Sequence, residues 1–594
     1  MTGWNAAAAV ERVTAANGGS TRWIVDNDPS PRFPLYTRAN IGEVFPEVVQ
    51  PFSWTLWGIP HADYGWRLAF EKLGAFDLDE FTPDTMEMLG VFGGYGYLNA
   101  SASRIFGERT PGLSAAAIDA SFFGEQPDVP PYQPQAGDQS PAHAERLGAM
   151  LGWLFTATSL PDIDAMRADM TAVRAARPAL ATMADHALLD HVIALNEAHF
   201  RRLWVRHIEA TYHSTVPAGV IGGIATAVGR ADLAADLLTS SEIVDSALPA
   251  HALWALSRQV NDDAAATALF DAGLRGPGER SGEKLGERLS EAPAFAAAFA
   301  GFIRDYGFRG PMEWEMRSRT WEIDPATPLA AIHMMRRAAD AESPAARAAQ
   351  RLAARDAAVA TMRGLLAGDA ATAAQFEAAL GVAGRFFAAR ERTKTNCAML
   401  LHEMRMAMWE LGRRHVGRGL ADADQFGLLT VAEWQAALAG AGIDAGLVAA
   451  RAAQEAERAA LVPPFIINAA VPPLATWQRR DAVAAPAASQ VLQGQPGCAG
   501  IARGIARVVD DPGEPGDFEP GDILVAAHTD PSWTPLMAAA GGVVVNVGAT
   551  VSHAVIVARE LGVPCAVSVT GATSLIAPGR LIEVNGGTGQ VTLL

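Results

Sequence analysis

From Pro141 to Leu461 apolar residues recur at three- and four-residue spacing in a background rich in Ala, Leu, Arg and Glu. Leu188, Val192, Leu195, His199 and Leu203 form one such stripe. This is the one-sided pattern of an amphipathic helix, so the spacing predicts a large helical domain with connecting loops, Gly273 to Gly286 being one of them. Both flanks break the pattern. Up to about Pro134 the chain is rich in aromatics, Gly and Pro, with Trp54, Trp57, Trp66, Phe92, Tyr95 and Tyr97, and reads as loops, short helices and a few short strands.

After Leu461 come two Pro-Pro pairs, Pro463-Pro464 and Pro472-Pro473, and then the Ala-rich run Ala482 to Ser489. The second half of this stretch reads as a linker. Ten extended residues span at most about 33 Å, enough for a hinge. Beyond it the period shortens. Ile501–Val509, Ile523–Ala527, Val543–Val545, Ala566–Val569, Leu581–Val584 and Gln590–Leu593 are short Val- and Ile-rich runs separated by Gly, Pro and Asp, and they predict strands. Pro531–Ala540 and Ser552–Leu561 predict helices. The fold class is therefore multidomain α+β. A mainly helical domain covers residues 1–480, aromatic-rich over 1–135 and helical over 136–480. A hinge follows at 481–490, and a compact β/α domain at 491–594.

Composition narrows the function classes. A length of 594 residues corresponds to about three to four domains, and 50% hydrophobic with 19% charged residues is a globular balance. Lys+Arg 47 against Asp+Glu 65 leaves a net charge of -18, which repels phosphate backbones, so nucleic acid and anionic membranes are poor partners. Cys397, Cys498 and Cys565 form no CxxC pair, which supports neither a disulfide framework nor a zinc site and suits a reducing cytoplasm. The N-terminus lacks the pattern of a signal peptide. Apolar runs such as Gly219–Gly229 fall short of the roughly 18 to 20 residues of a membrane helix.

The stretch most informative about chemistry is Gly541 to Pro564, GGVVVNVGATVSHAVIVARELGVP. A buried strand runs into a turn at Gly548-Ala549, Thr550 or Ser552 can cap the next helix, and Gly562 with Pro564 marks its end. His553 falls in the first turn, where the helix N-terminus offers free N–H groups and partial positive charge to an anionic group. A lone histidine at a helix start is otherwise most often a cap or surface residue.

These residues closely resemble the swivelling phosphohistidine domain of phosphoenolpyruvate-utilising enzymes. Ser552, His553, Ile556, Val557, Ala558, Arg559, Glu560, Gly562 and Pro564 match the pattern, as do Gly521 to Val525 and Asn585 to Gly589. Asn546, Gly548 and Ala549 stand where members often carry an acidic residue and a Gly-Gly pair. Thr529 to Leu536 (TDPSWTPL) resembles a subset that includes rifampin phosphotransferase and the large subunit of phenylphosphate synthase. So do Arg38 to Pro51, Tyr306 to Glu313, Trp321, Asp324-Pro325, Arg390 to Lys394 and Asp422 to Leu429, in the same order. Phe308 departs from a position that is often His.

The resemblance implies that His553 is the phosphorylated nucleophile, assisted by Ser552, in a swivelling domain that follows a substrate-binding domain. Arg309, Lys394 and Glu313 are the further catalytic candidates, since phosphoryl transfer needs cations around its oxygens. Salt bridges are the plainer reading of those arginines. Trp54, Trp57, Tyr97 and Arg390 are the candidates for substrate binding, with core packing the more economical account of the aromatic three.

No Gly-Lys dipeptide, and so no Walker A sequence, occurs in the chain. No metal or cofactor is expected on it either: His402-Glu403 is followed by Met406 where a zinc-binding helix would place its second His. The family comparison implies ATP and Mg on a separate ATP-grasp subunit as phosphoryl donor. The acceptor it implies is a small phenolic molecule, such as a phenol or a 4-hydroxyphenyl ketone in aromatic compound catabolism. The alternatives are a component of an antibiotic (rifamycin-like) phosphotransferase and a non-catalytic phosphate carrier.

Overall fold

The computed structural model describes residues 4–123, 129–240, 244–272, 286, 288–480, 491–513, 515–548 and 552–594. Most of the expected loop Gly273 to Gly286, the expected hinge 481–490 and the turn residues Ala549 and Thr550 lie outside the described residues. The chain packs as two compact units. One comprises residues 1–213, 312–318 and 392–482, and the other residues 214–311, 319–391 and 483–594.

In the first unit a four-stranded antiparallel sheet runs in the order Leu89–Phe92, Tyr95–Asn99, Leu35–Thr37, Ile466–Asn468. The Pro-rich stretch after Leu461 is thus partly strand: Ile466–Asn468 pairs with Leu35–Thr37, Tyr36 opposite Ile467. Helices surround the sheet. Trp54–Ala62 forms wide π-type turns around Pro60, and all nine of its residues are buried.

Buried polar groups tie the unit together. Asp63, fully buried, accepts the backbone N–H groups of Glu87, Met88 and Leu89 on one oxygen and the Arg67 guanidinium on the other. The segment Met312–Ser318 is held by Arg405, which donates to the carbonyls of Glu313 and Glu315 at 2.7 and 2.9 Å. Burial lowers the Arg405 guanidinium to about 10 and pushes the Glu315 carboxyl up. Glu315 in turn accepts the Gln50 N–H at 3.2 Å and the Ser53 hydroxyl.

The second unit joins helices to the β/α domain. The eight-stranded mixed sheet runs Val491–Gln493, Gln590–Leu593, Leu581–Asn585, Ile501–Val508, Ile523–Ala526, Gly542–Val545, Cys565–Val567, Gln495–Cys498. Four central strands pair in parallel, from Ile501–Val508 to Cys565–Val567, and the remaining pairings are antiparallel. The inner parallel strands are continuous Val, Ile, Leu and Ala runs because both faces are covered. Cys498 and Cys565 become register partners on adjacent strands, both buried free thiols. Gly586 has to be glycine here, since a Cβ would lie 1.9 Å from the Cys498 carbonyl oxygen.

One apolar cluster runs from the helices into this sheet. It contains Leu253, Phe270, Phe299 and Trp321 from the helical portion and Trp533, Leu536, Met537, Val543 and Val555 from the β/α portion. The short helix Thr534–Ala539 packs on Leu248–Asp262 and Ala326–Met335, and His553–Leu561 packs on Pro344–Leu365.

Asp63→Ala would strip the acceptor from three buried N–H groups and leave Arg67 buried without its counter-charge. Such a loss costs about 3–5 kcal/mol. The expected result is a correspondingly lower urea midpoint for the fluorescence transition, and a change below about 1 kcal/mol would contradict this account.

Candidate functional site

Three local features build the site. The strand Gly542–Val545 ends at Asn546, whose amide donates to Thr573 Oγ1 at 2.7 Å and accepts the Thr573 N–H at 3.0 Å, tying the strand end to Thr573. Ser552 then adopts extended backbone and caps the helix His553–Leu561, its hydroxyl accepting the Val555 N–H at 3.4 Å. Gly562 closes the helix in the left-handed conformation at φ 65, with its N–H directed to the Ala558 and Arg559 carbonyls. Ser552 is one of the two capping candidates of the sequence; the other, Thr550, lies outside the described residues.

His553 is the first residue of the helix and is 6% exposed. Thr529 Oγ1 lies 3.2 Å from His553 Nδ1 and is itself buried, so one ring nitrogen is held by a hydroxyl. Thr529 is a site residue that sequence reasoning did not single out. It belongs to the TDPSWTPL run, but a separation of 24 residues gives no sign that the two side chains meet.

His553, Ile556 and Glu560 share one face of the helix, at i, i+3 and i+7. Further along the helix Ile556, Arg559 and Glu560 line a small cleft, and His553 is not among its lining residues. Leu238, Val244, Phe387 and Ile556 supply apolar lining, and Arg390, Glu391, Arg559 and Glu560 supply charge. Desolvation raises the Glu560 carboxyl to about 7, the neighbouring Glu391 adding to the rise and Arg351 and Arg559 opposing it. Arg559 Nε donates to the Gly497 carbonyl at 3.0 Å, and burial lowers its guanidinium. Arg390, a substrate-binding candidate, therefore lines the same cleft as the helix that carries His553.

The other candidates are distributed as follows. Arg309 is buried in the second unit, with Nη2 3.4 Å from the Asp245 carbonyl and its guanidinium 5.0 Å from the centre of the Phe308 ring. Glu313 and Lys394 belong to the first unit, Glu313 buried and Lys394 half-buried on the helix Ala370–His415. Trp54, Trp57 and Tyr97 are also in the first unit and fully buried. Trp57 packs between Phe45 and Phe200, at 5.6 and 5.1 Å, and the Tyr97 hydroxyl donates to the Pro464 carbonyl at 2.7 Å. These are the contacts of core residues.

Among the described residues Asp77, Glu80 and His143 gather potential metal-ligating atoms within 4.8 Å. Arg146 donates to Asp77 at 2.7 Å and Arg109 to Glu80 at 2.7 and 2.9 Å, so guanidinium groups already supply the positive charge there. No helix among the described residues is long and apolar enough to cross a membrane.

Two family matches fall on this geometry. Residues 206–391 match the fourth domain of rifampicin phosphotransferase, and residues 518–589 match the mobile domain of PEP-utilising enzymes. Among curated proteins, a prodigiosin synthesizing transferase, PigC, of Serratia marcescens is 30% identical over 306 residues, 50% of this chain and 33% of the relative. A rifampicin phosphotransferase of a Streptomyces species is 39% identical over 175 residues, 30% of this chain and 20% of the relative. An uncharacterized protein of Mycobacterium tuberculosis is 36% identical over 212 residues, 35% of this chain and 24% of the relative. The matched segment thus spans between a fifth and a third of the length of these relatives.

Ser552→Ala removes the side-chain cap of the His553 helix. It should lower stability by about 1 kcal/mol, with Ser552→Asp retaining most of it. Denaturant unfolding of the two variants checks this, and equal losses from both would show that the cap carries no weight.

Proposed function

We propose, from the premise that this chain is a PEP-utilising enzyme whose mobile domain includes residues 518–589, that it is a phosphotransferase component working through a phosphohistidine at His553. The observation that carries this reading is the placement of His553 at a Ser552-capped helix start, with Nδ1 held by Thr529; Ile556, Arg559 and Glu560 of the same helix line a cleft further along it.

The chemistry follows from that placement. In the reactive tautomer Nδ1–H donates to Thr529 Oγ1, which puts the lone pair on Nε2. Nε2 attacks a terminal phosphorus of the donor nucleotide, the N–P bond forms, and the shortened nucleotide leaves with the electrons of the broken P–O bond. The phosphoryl oxygens then face the N–H groups of the first helical turn. In the second half-reaction an acceptor hydroxyl attacks the phosphorus, the N–P bond breaks with its electrons returning to the ring, and the hydroxyl proton passes to the ring or to solvent. Arg390 is suited to hold the equatorial oxygens as charge shifts between the nitrogen-bound and oxygen-bound states.

The donor in this reading is ATP with Mg on a separate ATP-grasp subunit, and neither is assigned a site on this chain. The mainly apolar cleft beside Arg390 fits a small phenolic acceptor, with the work done in the cytoplasm by a heteromeric complex. The enclosure of His553 supports a domain that moves, because a histidine only 6% exposed cannot meet a second polypeptide without leaving its present surroundings. The rifampicin phosphotransferase likeness of residues 206–391 favours a second reading, in which the acceptor is a larger antibiotic.

Incubation with the ATP-grasp partner and phosphorus-labelled ATP should place acid-labile, alkali-stable phosphate on the native chain. His553→Ala should take up none, and Thr529→Val should label at least about tenfold more slowly. Equal labelling of His553→Ala would overturn the assignment. Arg390→Ala should label His553 normally yet pass phosphate to a phenol about 10²–10³-fold more slowly, a loss typical of a group that meets developing charge. Single-turnover transfer from the prelabelled protein measures this second step directly.

A further inference from the structure

The C-terminal half of the His553 helix is held by charged groups for which the transfer chemistry has no use. Arg351, on the helix Pro344–Leu365, donates from Nε to the Arg559 carbonyl at 3.1 Å while its Nη2 sits 2.9 Å from Asp236. A guanidinium thereby closes the negative end of a helix that belongs to a different region of the chain. The Arg351 stem also passes under Gly562, where a Cβ would lie 2.9 Å from its Cδ. Two residues before that glycine, Glu560 lines the cleft together with Glu391.

We propose that Glu560 is a positioning residue for the docked mobile domain: as the neutral acid it seats the His553 helix against the helices of residues 214–391, and its ionisation loosens that seat. Residues 518–589 match a family model described as a mobile domain, and the inference rests on the reading that this domain alternates between a docked and an undocked arrangement. The inference concerns that docking, and it stands whether or not His553 carries phosphate.

The groups facing Glu560 set the sign. From the segment after Ala234–Leu237 the backbone N–H of Ser240 donates to it, and Asp236 from that helix is occupied by Arg351. Pro344–Leu365 contributes Arg351, Ala370–His415 contributes Arg390 and Glu391, and its own helix contributes Arg559. Two carboxyl groups thus line one largely apolar cleft, and burying both as anions is unfavourable. Docking raises the Glu560 carboxyl to about 7, whereas on an exposed helix it would titrate in the ordinary carboxylate range near ~4.3. The docked form therefore binds the extra proton. Its advantage is fully present below the exposed value, is lost as pH climbs from there to about 7, and is flat above. The shift in the docking equilibrium across that window is roughly 500-fold.

The test uses the full chain, unphosphorylated, with Ala353→Cys and Gln590→Cys introduced at exposed positions for a fluorescent donor and acceptor; the three native thiols are buried. Energy transfer should fall between pH 5 and pH 8 in this background. Adding Glu560→Gln should abolish the fall and keep the docked value at pH 8. Glu391→Gln should move the transition to lower pH, because it removes the neighbouring negative charge that helps hold Glu560 protonated. An unchanging signal in the Glu560-containing protein would overturn the proposal. So would the same fall in Glu560→Gln, which would mean that another group carries the proton. Failure of His553 to accept phosphate would leave these distance readings untouched, so the two ideas fail separately.

Discussion

Apolar contact between the short helix Thr534–Ala539 and the helices Leu248–Asp262 and Ala326–Met335 is the constraint on which the second unit depends. Trp533, Leu536 and Met537 are essentially buried and belong to the same cluster as Trp321 and Leu329. Burial of this kind is non-directional and scales with area, so it can be broken and remade without a unique geometry. The polar contacts are the specific ones. Arg351 at the end of the His553 helix and the Ser240 N–H on Glu560 fix how that helix lies on an otherwise permissive surface. A seat made of both kinds of contact can be strong in register and modest in depth.

The β/α domain was legible in the chain because its inner strands are covered on both faces. Such strands must be continuous apolar runs, and Ile523–Ala526, Gly542–Val545 and Cys565–Val567 are nothing else. The two strands that were not legible, Val491–Gln493 and Gln495–Cys498, sit at the sheet's edges and are broken by Gly494, Pro496 and Gly497. Edge strands pair on one side only, so they tolerate residues that ordinarily signal a turn. Ile466–Asn468 was hidden for a similar reason: it lies between Pro-Pro pairs and becomes a strand only through its pairing with Leu35–Thr37.

The candidate site divides along the same physical line. The cap at Ser552, the first-turn placement of His553 and the left-handed Gly562 are determined within a dozen residues, and the chain displays them directly. Thr529 beside Nδ1 is 24 residues from its partner, and Arg351 on the Arg559 carbonyl is 208 residues from its own. No local pattern encodes such meetings, nor that of Glu391 with Glu560. The aromatic residues illustrate the converse limit. For Trp54, Trp57 and Tyr97 the sequence left substrate binding and core packing both open, with packing the more economical, and their rings pack on one another and on Phe45, Phe92 and Phe200.

The enclosure of His553 bears on how a phosphohistidine would have to be handled. The N–P bond of such a group is labile to water, and a nearly buried ring is shielded from it. Shielding of that degree also bars a nucleotide bound elsewhere. In the proposed reading one arrangement would therefore not serve both loading and delivery. In that reading loading requires the seat to open, which makes the depth of that seat a kinetic quantity. If it is too deep the histidine stays empty; if it is too shallow the loaded ring meets water before it meets an acceptor. In the proposed reading Glu560, whose carboxyl burial pushes up to about 7, lowers that depth without abolishing it.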